Sequence, residues 1–495
     1  MKLTFWGAAK QVTGSMYLLE LDNDYRILID CGFDMDKNRH QEDENNSGNN
    51  ENVKIPSYSV FPFEPSMVNV VLLTHAHIDH SGNLPNLVRE GFEGQIVCTT
   101  PTHALSSLLL YDSASLNQKK IKQYETNRRK SKEFNKGQNN KKNEKNTSFS
   151  NPKEWYLPAH VEQTERQFFN IEFNRRFQLT KGVWVTFIPT GHLLGAANIV
   201  LEVEENGEIK KIGFSGDIGR HHYPLLKDPE KTPEVDYLLC ETTYGSRNHT
   251  ATGNPEDEIC DIIHKACVEV PGRLIIPSFS VGRTQSLLFT LNKLAIEGRL
   301  PAIKVFADSP LAYKSTATYN HYVSFLNEEA KAFYAKHKSL FDFENLVYVE
   351  DMRTSKQITN HSEPCIIISS SGMVQGGRVE HHIKSNISNP YATILMIGYA
   401  SEGTVGHQLI TGKKMLTFKD KEYAVLANVR RTDIYSGHAG QDDLLNFVKY
   451  QNPEKIKKIF LIHGEETSMQ TFKALLEENN YKNIEIPAKG VTYEL

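Results

Sequence analysis

Three imidazoles and a carboxylate, His75, His77, Asp79 and His80, fall within six consecutive residues of the run THAHIDH. Imidazole suits zinc as a borderline donor, and a carboxylate can bind one ion or bridge two, so this short loop can serve two metal ions. The loop follows VNVVLLT, Val68 to Thr74, which is short, predominantly apolar and rich in β-branched residues. Such a run predicts a buried strand that ends where the donors begin. The bland alternative, histidines that only cap a helix in SGNLPNLVRE, leaves the H-x-H-x-D-H spacing unexplained.

Three further donors stand at the same kind of position, the end of a predicted strand followed by a turn. His192 follows VWVTFIPTG, Asp217 follows KIGFSG, and His463 follows IKKIFLI. A two-metal site needs about three protein ligands per ion, a bridging oxygen and an open water position. By that count one ion takes His75, His77 and His192, the other takes Asp79, His80 and His463, and Asp217 bridges. Asp30, after YRILID, is suited to fix a ligand imidazole's tautomer from behind; a turn-forming role in D-C-G is equally compatible.

These donors must be carried by more than one domain, because 495 residues exceed one ordinary core. With 39% hydrophobic and 23% charged residues the chain reads as globular, and the absence of a long apolar run or a secretory signal predicts a cytoplasmic protein with no membrane partner. The six cysteines form no C-x-x-C pair and read as reduced core residues. A net charge of −4 excludes a uniformly basic nucleic-acid binder, but not a local basic field. The first 30 residues alternate as β-structure. Residues 37–54 are almost wholly polar and predict an exposed loop. From Asn117 to Ser150 the chain carries 11 Lys/Arg against 3 Glu, after the apolar helix pattern HALSSLLLYDSASL. That stretch predicts a solvated, partly disordered extension, with a phosphate-attracting arm as the sharper reading.

After Trp155 short strands and turns resume. From about Asn254 the strand-like runs RLIIPSF, AIKVFAD, CIIISSS and ATILMIGYA alternate with helical segments, which predicts a parallel α/β sheet. Near Arg430 the earlier β-character returns, so the second domain is inserted into the first. The boundaries read as 1–245, 246–434 and 435–495. Within the insert, Gly-rich turns before helices could offer backbone N–H groups and guanidinium to phosphate: Ser371, Gly372, Gly376, Gly377 and Arg378, and Gly282, Arg283 and Thr284. Ordinary strand-to-helix turns are the plain alternative.

H-x-H-x-D-H with isolated downstream His and Asp resembles the metallo-β-lactamase fold. The strings GAAKQVTGS, ETTYGSR, SFSVGRTQ, SSSGMVQGGR, GYASEGTVG, YSGHAG and LIHGE resemble its β-CASP branch, which includes RNase J and the pre-mRNA 3′-end endonuclease. The resemblance implies an α/β protein, an αββα metallo-β-lactamase sandwich with an inserted parallel-sheet β-CASP domain. It also implies two zinc ions per chain, with manganese as a substitute, and single-stranded RNA as partner. Glu241 of ETTYG matches the family's acidic residue and His438 of YSGHAG its histidine at the return; together with Asp217 they form the implied catalytic set, His438 as general acid and Glu241 as its orienting partner. Where the family commonly has Asp two residues after this histidine, the chain has Gly440, with Asp442 two places further. His463 in LIHGE matches RNA-processing rather than DNA-repair members.

The expected function is a zinc-dependent ribonuclease that uses a metal-activated hydroxide to attack phosphorus in line while His438 protonates the departing oxygen. Endonucleolytic and 5′-to-3′ exonucleolytic action are both compatible with these residues, as is a homodimer. The chain resembles the short, stand-alone bacterial β-CASP ribonucleases. Two rivals stay open: a small-molecule metallo-hydrolase acting on a thioester or lactam, and a non-catalytic RNA-binding scaffold.

Overall fold

The computed structural model describes residues 1–34, 60–135, 155–250, 253–418 and 421–495. The polar stretch 37–54 and the end of the basic stretch, 136–150, lie outside the described residues.

Two seven-stranded sheets face one another. Successive side chains of a strand point to opposite faces, so each strand feeds two layers. Along Lys458–Ile462, Phe460 and Ile462 enter the layer between the sheets while Ile459 and Leu461 face outward. Val70–Leu72 does the same in the other sheet, with Val70 and Leu72 inward and Val71 outward. Burial on both faces is why Val70 to Leu73 is apolar without interruption. Outside one sheet lies Leu84–Arg89 with Leu84 and Leu87; outside the other lie Gln441–Val448 and Glu466–Glu478, with Leu444, Val448, Met469 and Phe472. This is the αββα sandwich expected from the resemblance.

Between Glu241 and Lys458 the chain builds a third sheet of six parallel strands. Its order is Leu346–Tyr348, Lys304–Asp308, Cys365–Ser369, Arg273–Pro277, Ala392–Met396, Asn428–Arg431. Arg283–Ile296 covers one face through Leu287 and Leu291, and Gly377–Asn386 the other through Val379 and Ile383. The four apolar runs are the four inner strands. The two edge strands carry a weaker signal: Leu346–Tyr348 is only three residues long, and Asn428–Arg431 holds two arginines and no apolar run.

The sandwich and the inserted sheet share a core: Leu193, Leu194, Tyr223 and Leu225 pack into the same cluster as Ile276, Leu287, Leu288 and Leu395. The described part of the basic stretch, Asn117 to Asn135, is helical, since one helix runs Thr100–Asn135. Lys, Arg, Gln and Glu are strong helix formers, and neither Pro nor Gly occurs between Asn117 and Gly137, so the helix persists. No described helix is long and apolar enough to cross a membrane.

Candidate metal centre and cleft

The candidate donors leave the ends of strands from both sheets and meet at one edge of the sandwich. Asp30 follows Arg26–Ile29, His75 follows Val70–Leu72, His192 follows Val183–Pro189, Asp217 follows Glu208–Phe214 and His463 follows Lys458–Ile462. Asp30 and His463 take positive φ values of 58° and 48°, a sparsely allowed region that turns the chain sharply at the strand end.

All seven candidate ligands come together in two clusters around Asp217. In the first, His77 Nδ1 lies 3.1 Å from His75 Nε2 and 3.2 Å from His192 Nε2, and Asp217 Oδ2 lies 3.5 Å from each of the latter nitrogens. In the second, Asp217 Oδ1 lies 3.3 Å from His80 Nε2, and Asp79 Oδ2 lies 3.5 Å from His463 Nε2. Burial pushes His75 and His192 well below the usual imidazole range and His77 down to about 4, leaving three neutral rings. Burial opposes charge on His80 and His463 too, but Asp217 outweighs it, aided by Asp30 and Asp79 respectively, and both are raised. Burial likewise opposes the Asp217 carboxylate, yet His463, His80 and His75 hold it well below the carboxylate range.

Three neutral imidazoles whose ring nitrogens converge at 3.1 and 3.2 Å can make only a few hydrogen bonds among themselves, and their remaining lone pairs suit a cation placed between them. Asp217 Oδ1 and His463 Nε2 are buried without a well-formed hydrogen bond, a costly state for polar atoms. The donor set, five histidines and two carboxylates, with Asp217 lying between the clusters, therefore fits divalent ions of the zinc type.

The rings are aimed by partners behind them. Asp30 Oδ2 accepts from His80 Nδ1 at 2.7 Å, and the Gly437 carbonyl accepts from His192 Nδ1 at 3.0 Å. Thr74 Oγ1 stands 3.1 Å from His75 Nδ1 while donating to Asp30, and Thr243 Oγ1 stands 3.1 Å from His463 Nδ1. Sequence reasoning found Asp30 and missed Thr74, Thr243 and Gly437. Their one signal was adjacency: Thr74 precedes His75, and Gly437 precedes His438.

Glu241 is fully buried and accepts from Ile218 N at 2.8 Å and Thr243 N at 3.0 Å. Its Oε1 lies 3.2 Å from His438 Nδ1, and Asp217 Oδ2 lies 3.9 Å from that nitrogen. His438 and the ligand rings of His77, His192 and His463 floor a cleft of about 630 Å³ walled by both domains, with Phe279, Arg283, Ser371, Gly377, Arg378 and Tyr399 on the inserted side.

The proposed phosphate group divides. Arg283 reaches the cleft 4.9 Å from the Phe279 ring centre, with no acidic partner among the described residues. Arg378 lines the cleft but binds buried Asp308 at 2.6 Å and the Val349 carbonyl at 2.8 Å. Thr284 turns its hydroxyl to Phe279 O, and the Gly282 amide donates to Gln285 Oε1. Ser371 exchanges hydrogen bonds with the Gln375 backbone, in a turn that also holds Gly372 and Gly376. A side chain at Gly377, where φ is 72°, would meet the Ser370 carbonyl at 2.3 Å, so that turn requires glycine.

Three family models match in chain order: the metallo-beta-lactamase superfamily over 9–229, the Beta-Casp domain over 284–409, and the Zn-dependent metallo-hydrolase RNA specificity domain over 422–487. Ribonuclease TTHA0252 of Thermus thermophilus is 30% identical over 476 residues, 96% of each chain. The RNase J-like protein of Methanocaldococcus jannaschii is 27% identical over 489 residues, 98% of this chain and 96% of its own. Transcription termination factor FttA of Methanosarcina mazei is 26% identical over 502 residues, 99% of this chain and 70% of that protein. The sandwich, its inserted parallel sheet and these matches agree along nearly the whole sequence, and the chain belongs to the β-CASP family of the metallo-β-lactamase superfamily.

Proposed function

We propose that this protein is a metal-dependent ribonuclease that hydrolyses RNA phosphodiester bonds at the floor of the interdomain cleft. The observation that carries the reading is the Glu241–His438 pair set directly against the Asp217 cluster, a proton donor beside a metal centre in one cavity. His75, His77 and His192 would hold one zinc ion, Asp79, His80 and His463 a second, and Asp217 would bridge them, with manganese as a substitute. Bound there, the ions supply Lewis-acid activation of water and neutralise charge on the phosphoryl oxygens.

The chain's own residues supply the rest. His438 turns Nδ1 to Glu241 and keeps Nε2 without a partner among the described residues, so it can protonate the departing 3′ oxygen. Glu241, fixed by two backbone N–H groups, stabilises the imidazolium and its orientation. Leu193, Val281 and Phe279 make much of the cleft wall apolar, which strengthens electrostatic interactions inside it. Single-stranded RNA is the form supported by a narrow cleft between two domains that share a core, because a duplex would need them to part. RNA itself is supported by the matched RNA specificity domain and by relatives named as ribonucleases.

The test uses RNAs labelled separately at each end, carrying a 5′-monophosphate or 5′-hydroxyl, in zinc and in manganese. Cleavage abolished by chelation is expected; single nucleotides released from the 5′ end mark exonuclease action and internal fragments mark endonuclease action. Hydrolysis of a thioester with intact RNA under every condition would overturn the reading in favour of a small-molecule hydrolase. Intact RNA and thioester alike, with metal bound, would leave only an RNA-binding scaffold.

A further inference from the structure

The cleft continues past the metal cluster to a lip built by both domains. Asp112, Leu116 and Lys119 of the helix Thr100–Asn135 line it, as do Leu311 and Met352 of the inserted domain. That helix packs there against Pro310–His321, which carries Lys314. Lys314 lies one turn on from the cleft-lining Leu311, on the same face of its helix, and Lys119 lines the lip on the same helix face as Asp112, so a lysine from each domain stands by one carboxylate. Leu116 and Met352 are 49% and 51% exposed, large apolar side chains left uncovered at a cleft mouth.

Beyond the lip the helix continues. Lys120 and Lys122 are exposed, and the backbone runs on from Leu116 to Asn135, roughly 30 Å at about 1.5 Å per residue. In the sequence this is the start of the stretch with 11 Lys/Arg against 3 Glu, within a chain whose net charge is −4. Apolar faces interleaved with cations, leading out of a cleft, match the needs of a single strand, whose bases offer faces and whose backbone offers charge.

We propose that this lip and the helix leading from it bind the part of a single-stranded RNA that lies outside the cleft. Lys119 and Lys314 take phosphates, Leu116 and Met352 take base faces, and the helix extends the track. The inference rests on the ribonuclease reading, but it assigns a separate surface that acts on RNA length rather than on the bond cut. Charge complementarity favours RNA over a second copy of this acidic chain.

The experiment compares the full-length protein with K119Q/K314Q on an RNA of about 20 nucleotides and one of about four, too short to leave the cleft. Each phosphate contact to a single strand contributes about 0.7 to the slope of log affinity against log salt, so the double variant should lower the long-RNA slope by about 1.4 in magnitude. Between 50 and 200 mM salt the native protein should then lose about sevenfold more affinity for long RNA than the variant does. The native preference for long over short RNA in kcat/KM should shrink to match. Unchanged slopes, or an equal loss on both RNAs, would overturn the proposal. A shift from dimer to monomer in the variant without a slope change would assign the lip to a second copy and likewise overturn it. If neither RNA is cleaved by the native protein the ribonuclease reading fails on its own, and the binding slopes, read by fluorescence anisotropy, still decide the lip.

Discussion

Replacing Asp30 with Asn should weaken both bound ions, although Asp30 touches neither candidate metal position. Three donors converge on this buried carboxylate: Thr74 N at 2.8 Å, Thr74 Oγ1 at 2.8 Å and His80 Nδ1 at 2.7 Å. With its proton committed to Asp30, the Thr74 hydroxyl can only accept from His75 Nδ1, 3.1 Å away. Asp30 thus sets the tautomers of His75 in one cluster and His80 in the other, leaving Nε2 of each as the lone-pair donor. Asparagine tolerates the left-handed backbone at this position about as well as aspartate, so the substitution changes chemistry without straining the turn. Its amide presents N–H₂ where one carboxylate oxygen stood, facing either His80 Nδ1 or Thr74 N. One buried donor then loses its acceptor, at a cost of about 1–3 kcal/mol in stability. Loss of such a partner typically lowers metal affinity by about 10–100-fold. Chelator titration with elemental analysis reads this directly, and added zinc should restore cleavage. Native affinity at both sites in D30N would refute the reasoning; weakening of only one ion would refute the relay through Thr74.

Other outcomes follow from the same geometry. Asp79→Ala or His80→Ala should lower the metal content by one ion and abolish RNA cleavage, and elemental analysis that still returns two full ions would refute the ligand division. Asp308→Ala removes the partner of Arg378 at 2.6 Å and of His382 at 2.6 Å, leaving two buried cationic or polar groups uncompensated. Breaking a buried pair on one side costs about 3–5 kcal/mol, which chemical denaturation should register while metal content in the folded protein stays complete.

Much of the site could be read from the sequence because metal donors are rare residue types, and three stand together. His192, Asp217 and His463 were legible because each ends an apolar strand, and strand ends at one edge of a sheet converge. The residues that aim the rings were not legible. Thr74 and Thr243 belong to a common type whose role appears only when the fold places an imidazole beside them. The same limit affected the Gly-rich turns: Arg378 is spoken for by Asp308, 70 residues earlier, and no local pattern reports such a pairing. Local propensity, conversely, carries the chain past Asn117, where a charged sequence free of Pro and Gly continues a helix as far as Asn135. Edge strands such as Leu346–Tyr348 stayed hidden because three apolar residues are too few to mark a strand against a helix or loop.

The central claim joins a metal centre to a proton donor, and the donor can be tested apart from the metals. The measurement is cleavage by His438→Ala, with metal content verified, of two RNAs that differ at one atom, the second carrying sulfur in place of the bridging 3′ oxygen at the scissile bond. A thiolate leaves without protonation. The account expects H438A to retain both ions, to cut ordinary RNA about 10²–10⁴-fold more slowly than the native protein, and to cut the sulfur-bridged RNA at close to the native rate. Equal slowing on both RNAs, or no slowing on either, would contradict it.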